Sequence, residues 1–412
     1  MRKYIGTMFL SVAILFSLTA CGSKTKEDYG NEYIPETDFP YMYETGLDGT
    51  YIAESDTGYY YISGHFLFYA DKSTMESVPL CNKPDCKHMD ETDYMKVGYC
   101  NAYLGDGGVL PYIQCYKNEI YTIEGVNATE KTNEKSLIKI SADGSKREHL
   151  VKVSGTQLFA IHRGYIYIAK NGGVNACVVR IPLDKLDSEP EIVFKPKLDS
   201  SNFFLTLKGN YAIITNFGVI NEDESYHYQC FTYNIITGET VHILEDEESV
   251  GICPAIYRSN DDRLIYSKSD INYSEGPVTD DNIIYSADLD GTNETVFKDY
   301  RDKTDKFAVQ LTFDGTYYYE RWVNGMLEEE DSKGRHFTIY DKEFNLLYDG
   351  NLDWLPRDFW IAYGSGSHIF FSYHDKETDE NVIDYVDKSL FEQGRFEPKR
   401  LSDRAPKPPI GW

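Results

Sequence analysis

The residues best equipped for chemistry are gathered in one short stretch. It runs Cys81-Asn82-Lys83-Pro84-Asp85-Cys86-Lys87-His88, then Cys100-Asn101-Ala102-Tyr103, with Cys115 in a following strand. Thiolate and imidazole are donors that tetrahedral zinc accepts, so Cys81, Cys86, His88 and Cys100 make a candidate Cys3His structural site. Intervals of four, one and eleven residues separate these donors, unlike the paired Cys-x-x-Cys knuckle. The zinc reading therefore rests on donor type more than on spacing. Disulfides compete with it: Cys81, Cys86, Cys100 and Cys115 can pair in three ways, and outside the cytoplasm disulfides are the default use of clustered cysteines. Either kind of bond would staple a loop that has no regular strand to hold it. Cys177, Cys230 and Cys253 each fall near a strand in a different part of the chain, where a free thiol packs as a small hydrophobe.

Catalytic signatures are missing from the rest of the sequence. Gly364-Ser365-Gly366-Ser367-His368 lacks the order of a nucleophile elbow. Neither a His-Glu-x-x-His helix nor a phosphate-binding glycine loop occurs. The acidic run Glu328-Glu329-Glu330-Asp331 has the composition of a solvated face, and sequence places no two carboxylates across a cleft as glycoside hydrolysis requires. His65, His162, His336 and His368 lie in or beside strands and are expected to be packed or hydrogen-bonded rather than catalytic bases.

The elements that must position the cysteine stretch repeat along the chain. Tyrosine is abundant, at 35 residues, and with Val, Ile, Phe and Thr it fits pleated, half-buried strands. Strands predicted at Tyr59–Ile62, Ile120–Ile123, Tyr165–Ile168, Tyr211–Ile214, Arg263–Tyr266, Tyr317–Tyr319 and His368–Phe371 each follow a Gly, Asn or Asp turn. A further strand follows each of the last six, at Leu137–Ile140, Val178–Ile181, Phe231–Asn234, Ile283–Ser286, Phe337–Tyr340 and Val382–Tyr385. The anchors recur every 46 to 60 residues or so, the length of one four-stranded blade. Seven recurrences predict an all-β fold, a seven-bladed β-propeller. The plainer alternative is a pair of β-sandwiches with coincidental spacing. In the first unit the third strand looks interrupted, and Arg395 to Leu401 is the candidate for the last outer strand.

Before the first blade come Arg2 and Lys3, an apolar run from about Met8 to Leu18, and Leu18-Thr19-Ala20-Cys21. This is the layout of a secretory signal, and the run is shorter than the ~20 residues needed to cross a bilayer. With its cysteine it resembles the lipobox of bacterial lipoproteins. The resemblance implies cleavage before Cys21, a lipid on that residue, and a place on the extracytoplasmic face of the cell membrane. Residues 1–20 are then the signal peptide. Residues 21–45 form a lipidated, polar tether that could span roughly 80 Å at about 3.4 Å per residue if fully extended. Residues 46–405 are the propeller, with the Cys/His insert at about 80–103, and 406–412 are a proline-rich tail.

Taken with the stretch Leu80-Cys81 to Cys86-Lys87-His88 and Cys100-Asn101-Ala102, this order resembles uncharacterised propeller lipoproteins of Gram-positive bacteria. Blade endings such as Tyr285-Ser286-Ala287-Asp288-Leu289-Asp290-Gly291 are similar to propellers of the TolB and LDL-receptor YWTD types, although no literal Tyr-Trp-Thr-Asp is present. Net charge is −26, and two units more negative without Arg2 and Lys3. Such a surface repels phosphate backbones and disfavours nucleic acid as a partner. The expected partners are the bilayer, through Cys21, and a glycan, peptide or protein bound by exposed Tyr or by Trp322, Trp354 and Trp360. A glycan-active enzyme, or an accessory subunit of a transporter or sensor, are the competing readings.

Overall fold

Side chains that alternate Tyr, Ile, Val and Phe on both faces favour strands buried on both sides, and here they form the middle strands of packed sheets. All six residues of strand Gly58–Ser63 are buried. A computed structural model of the chain describes residues 30, 32–40, 52–63, 65–86, 88, 100–105, 112–124, 134–154, 157–173, 175–196, 200–220, 225–245, 255–258, 263–267, 270–272, 276–278, 283–301, 308–323, 336–356, 359–364, 366–377 and 380–402. The segment read as a signal peptide, Cys21, Cys253, the acidic run at 328–331 and the 406–412 tail lie outside the described residues.

Seven four-stranded antiparallel sheets follow one another along the chain, at 52–79, 113–154, 157–194, 200–245, 255–299, 308–351 and 359–402. In each the four strands are hydrogen-bonded in sequence order. The protein is a seven-bladed β-propeller. Its first blade has an intact third strand, Phe66–Asp71, so the interruption read from sequence is not there. Strand Lys399–Ser402 supplies the last outer strand. Blade 5 carries an extra hairpin, Asp270–Asn272 with Gly276–Val278.

In six of the seven blades the third strand shifts register against the fourth, as at Leu137/Ile138, Val178/Val179 and Ile383/Asp384. A bulge there increases local twist, which lets each outer strand turn away from the inner one. The blades are locked to one another by side chains. Gln114, on the inner strand of blade 2, donates to Ile161 O at 2.6 Å and accepts from Ile161 N at 2.8 Å on the inner strand of blade 3. Among the described residues no strand is exchanged between the ends of the chain, since blades 1 and 7 are each built from consecutive strands. Their seam is closed instead by the Tyr59 hydroxyl, 2.9 Å from His368 Nδ1, and by an edge-on contact of Tyr59 with Phe370.

Residues 32–40 fall within the stretch read as tether, yet they are docked. Phe39 and Asp38 are buried, and the Phe39 amide donates to His162 Nδ1 at 2.9 Å. Among the described residues no helix is long and apolar enough to cross a membrane.

Candidate metal centre

The connector from blade 1 to blade 2 begins where strand Ser77–Pro79 ends. Residues 100–105 return to blade 1, where Leu67 N donates to Ala102 O and Leu104 N to His65 O, both at 2.8 Å. Tyr103 bridges Phe66, and Ala102 and Leu104 are fully buried. Arg147 of blade 2 donates to Asn101 O and Tyr103 O, each at 2.9 Å. The segment carrying Cys100 is thereby fixed against two blades. Asn101 Nδ2 reaches Asn82 Oδ1 at 2.7 Å and ties the two arms of the connector together.

This docking brings Cys81, Cys86, His88 and Cys100 into one cluster whose donor atoms all lie within 4.8 Å of one another. The Cys100 sulfur is 3.7 Å from His88 Nδ1. Around zinc, with Zn–S of about 2.3 Å and Zn–N of about 2.0 Å, tetrahedral ligand atoms stand ~3.5–3.8 Å apart. Four donors already this close need only small shifts to enclose a metal ion. His88 holds a positive φ of 34°, uncommon for a residue other than glycine.

The thiols of the cluster differ in their electrostatics. Burial raises the Cys81 thiol, but the N–H groups of Lys83 and Asn101 and the thiols of Cys86 and Cys100 outweigh it and hold Cys81 below the ordinary thiol value. The Asn101 N–H lies 3.4 Å from its sulfur. Burial pushes Cys100 up to about 12, with the Cys86 and Cys81 sulfurs adding to the rise. Cys81 is thus more ready than Cys100 to be a thiolate, and a bound metal would favour that form in all three.

Cys115 is not in the cluster. It sits in strand Ile113–Tyr116 and packs in the core between blades 1 and 2, where burial pushes its thiol up to about 12. All six described cysteines are free, including Cys177 and Cys230, which are buried as small hydrophobes. The four histidines read as structural are each hydrogen-bonded or ion-paired: His65 to Gly105 O, His162 to Phe39 N, His336 to Asp349 and His368 to Tyr59. Trp354 lies edge-on to Phe371 and Tyr373, and Trp360 packs against the core. Neither is an exposed binding platform. Sequence reasoning missed Arg147, which holds the connector from 44 and 46 residues away and carries no local signal.

No family model and no curated protein matches the chain. Solved structures similar to it are propellers. The tricorn protease aligns at TM-score 0.51 and 10% identity over 89% of this chain and 36% of its own. The β-propeller domain of the Trilobed protease from Pyrococcus furiosus aligns at 0.50 and 10% over 88% of this chain and 99% of that one. Prolyl oligopeptidase B from Galerina marginata aligns at 0.51 and 11%, over 84% and 48%. At these identities the likeness establishes the fold and nothing about activity.

Proposed function

We propose that the chain is a lipid-anchored, extracytoplasmic binding protein: a propeller held to the membrane through Cys21, with a structural zinc ion at Cys81, Cys86, His88 and Cys100, and loops that take a glycan, peptide or protein. The observation that carries the binding reading is where the ring's buried charges go. Arg180 pairs with Glu191 and lies over the Tyr165 and Tyr233 rings. Lys388 pairs with Asp314, which also accepts from the Tyr319 hydroxyl. Glu320 accepts from Tyr300 at 2.6 Å and Tyr340 at 3.0 Å, and Asp384 from Tyr373 and Arg400. Arg180, Lys388, Asp314, Glu320 and Asp384 are buried, and their pairings join strands and blades, so the chemistry of the interior is that of a scaffold. Zinc suits the centre because three thiolates and an imidazole fill a tetrahedron and leave no position open for substrate.

A glycan and peptide array probed with chain lacking residues 1–21 tests this reading. Saturable retention of an unaltered ligand is the expected result. Cleavage of the retained ligand would replace the binding role with an enzymatic one.

A further inference from the structure

The dock of residues 32–40 is built as specifically as the ring itself. Arg163, in the first turn of blade 3, uses all five N–H groups. Nε and Nη2 grip Asp38 at 2.7 and 3.0 Å. Nη1 donates to Gly30 O at 2.7 Å and to Asn210 Oδ1 of blade 4 at 2.6 Å, and Nη2 also donates to Glu32 O at 3.0 Å. The Arg163 backbone N–H donates to Thr37 O at 2.7 Å. His162 accepts the Phe39 amide on Nδ1 and therefore carries its proton on Nε2, which donates to Gly209 O at 2.7 Å. Asp38 and Arg163 side chains are 1% and 3% exposed.

The position of this dock has a consequence for orientation. His162–Gly164 and Gly209–Asn210 are turns between first and second strands, so the dock lies on that face of the ring. The connector with the Cys/His cluster joins the turn between second and third strands, at His65 and Phe66, on the opposite face. Nine residue steps separate Cys21 from Gly30, and in any conformation they reach at most about 32 Å.

We infer that the strap at 32–40 is an orienting clamp: it turns the first-turn face of blades 3 and 4 toward the bilayer and leaves the Cys/His face outward as the surface open to partners. This rests on the lipid anchor at Cys21. The clamp shortens the reach of the chain from Cys21 to the ring by more than half relative to a tether free to residue 45.

Lys185 and Asn175 are exposed at opposite ends of strand Cys177–Pro182 in blade 3, about 20 Å apart along it. The full lipidated chain, with a fluorescent amino acid at one position or the other, is bound to phosphatidylcholine vesicles carrying a headgroup acceptor dye. Energy transfer is expected to be clearly stronger from position 185, and in Arg163→Ala to fall to the level seen from 175. Equal transfer from both positions in the parent, or an unchanged difference in both Arg163→Ala and Asp38→Ala, would overturn the clamp. Cys21→Ser separates the two ideas: if that chain stays on vesicles, the anchor reading fails. Hydrogen exchange at the Phe39 amide reads the clamp without a membrane. Slow exchange in the parent and at least roughly tenfold faster exchange in Arg163→Ala is expected, and fast exchange in the parent sinks the clamp.

Discussion

A metal held by three thiolates and an imidazole adds directly to folding stability, because those ligands are scattered in the unfolded chain and gathered only in the native one. A metal at Cys81, Cys86, His88 and Cys100 would act locally and through the fold, because these side chains belong to a connector that Arg147 and the blade 1 backbone also hold. The purified protein is expected to contain about one zinc per chain by elemental analysis. Cys100→Ser should release it and lower the melting temperature by several degrees, whereas Cys115→Ser should keep the zinc. Equal metal content in the two variants would remove the assignment. The contrast also marks what the sequence could tell. Donor types pointed to the four side chains that cluster, but nothing local distinguishes Cys115, which lies apart from them in an inner strand between two blades. Asp38 and Arg163 were illegible for a similar reason, being 125 residues apart and adjacent only in the folded ring.

Blades were legible because each repeats one solution to the same burial problem. Second strands are sandwiched by neighbouring blades and so carry near-continuous apolar runs, as in Tyr59–Ile62 and Tyr165–Ile168. The third-strand bulges left no trace in composition, since a register shift changes pairing and not residue type. Turns divide into those that need glycine for backbone alone and those that need it for space. Gly172 has a φ of 84° with open space around it, while Gly144 has a φ of 70° and an added Cβ would lie 2.7 Å from Leu80 O and 2.9 Å from Leu80 Cγ. Gly172→Ala should cost about 1–2 kcal/mol from the left-handed backbone. Gly144→Ala adds a clash at the contact between blades 1 and 2, and should cost about 1–3 kcal/mol more. Urea unfolding of the two variants checks the order, and equal losses would mean that Leu80 moves aside freely.

At the scale of the whole molecule, a ring whose first and last described blades are each built from consecutive strands depends on the side chains of its seam. The seam joins chain segments more than 300 residues apart, so the sequence showed seven units without showing how the ring closes. Tyr59 and His368 carry the hydrogen bond there. Burial raises the Tyr59 phenol well above its ordinary value, with the Glu54 carboxylate adding to the rise, so the hydroxyl stays protonated and can donate to Nδ1. Burial also lowers the His368 imidazole, although the Asp387 and Glu54 carboxylates oppose it. An unfolded histidine binds its proton near pH 6.5, and the folded one binds it only below that. Between those values the unfolded chain holds more protons, so this contribution to stability is complete above about pH 6.5 and is lost as pH falls through the folded value. Protonation also takes the lone pair on Nδ1 that accepts from Tyr59. His368→Gln offers a side chain that can accept a hydrogen bond and does not titrate. Scanning calorimetry at pH 7.5 and 5.5 should therefore find the parent's advantage over His368→Gln narrowing at the lower pH. An advantage of the same size at both values would show that the seam does not titrate through His368.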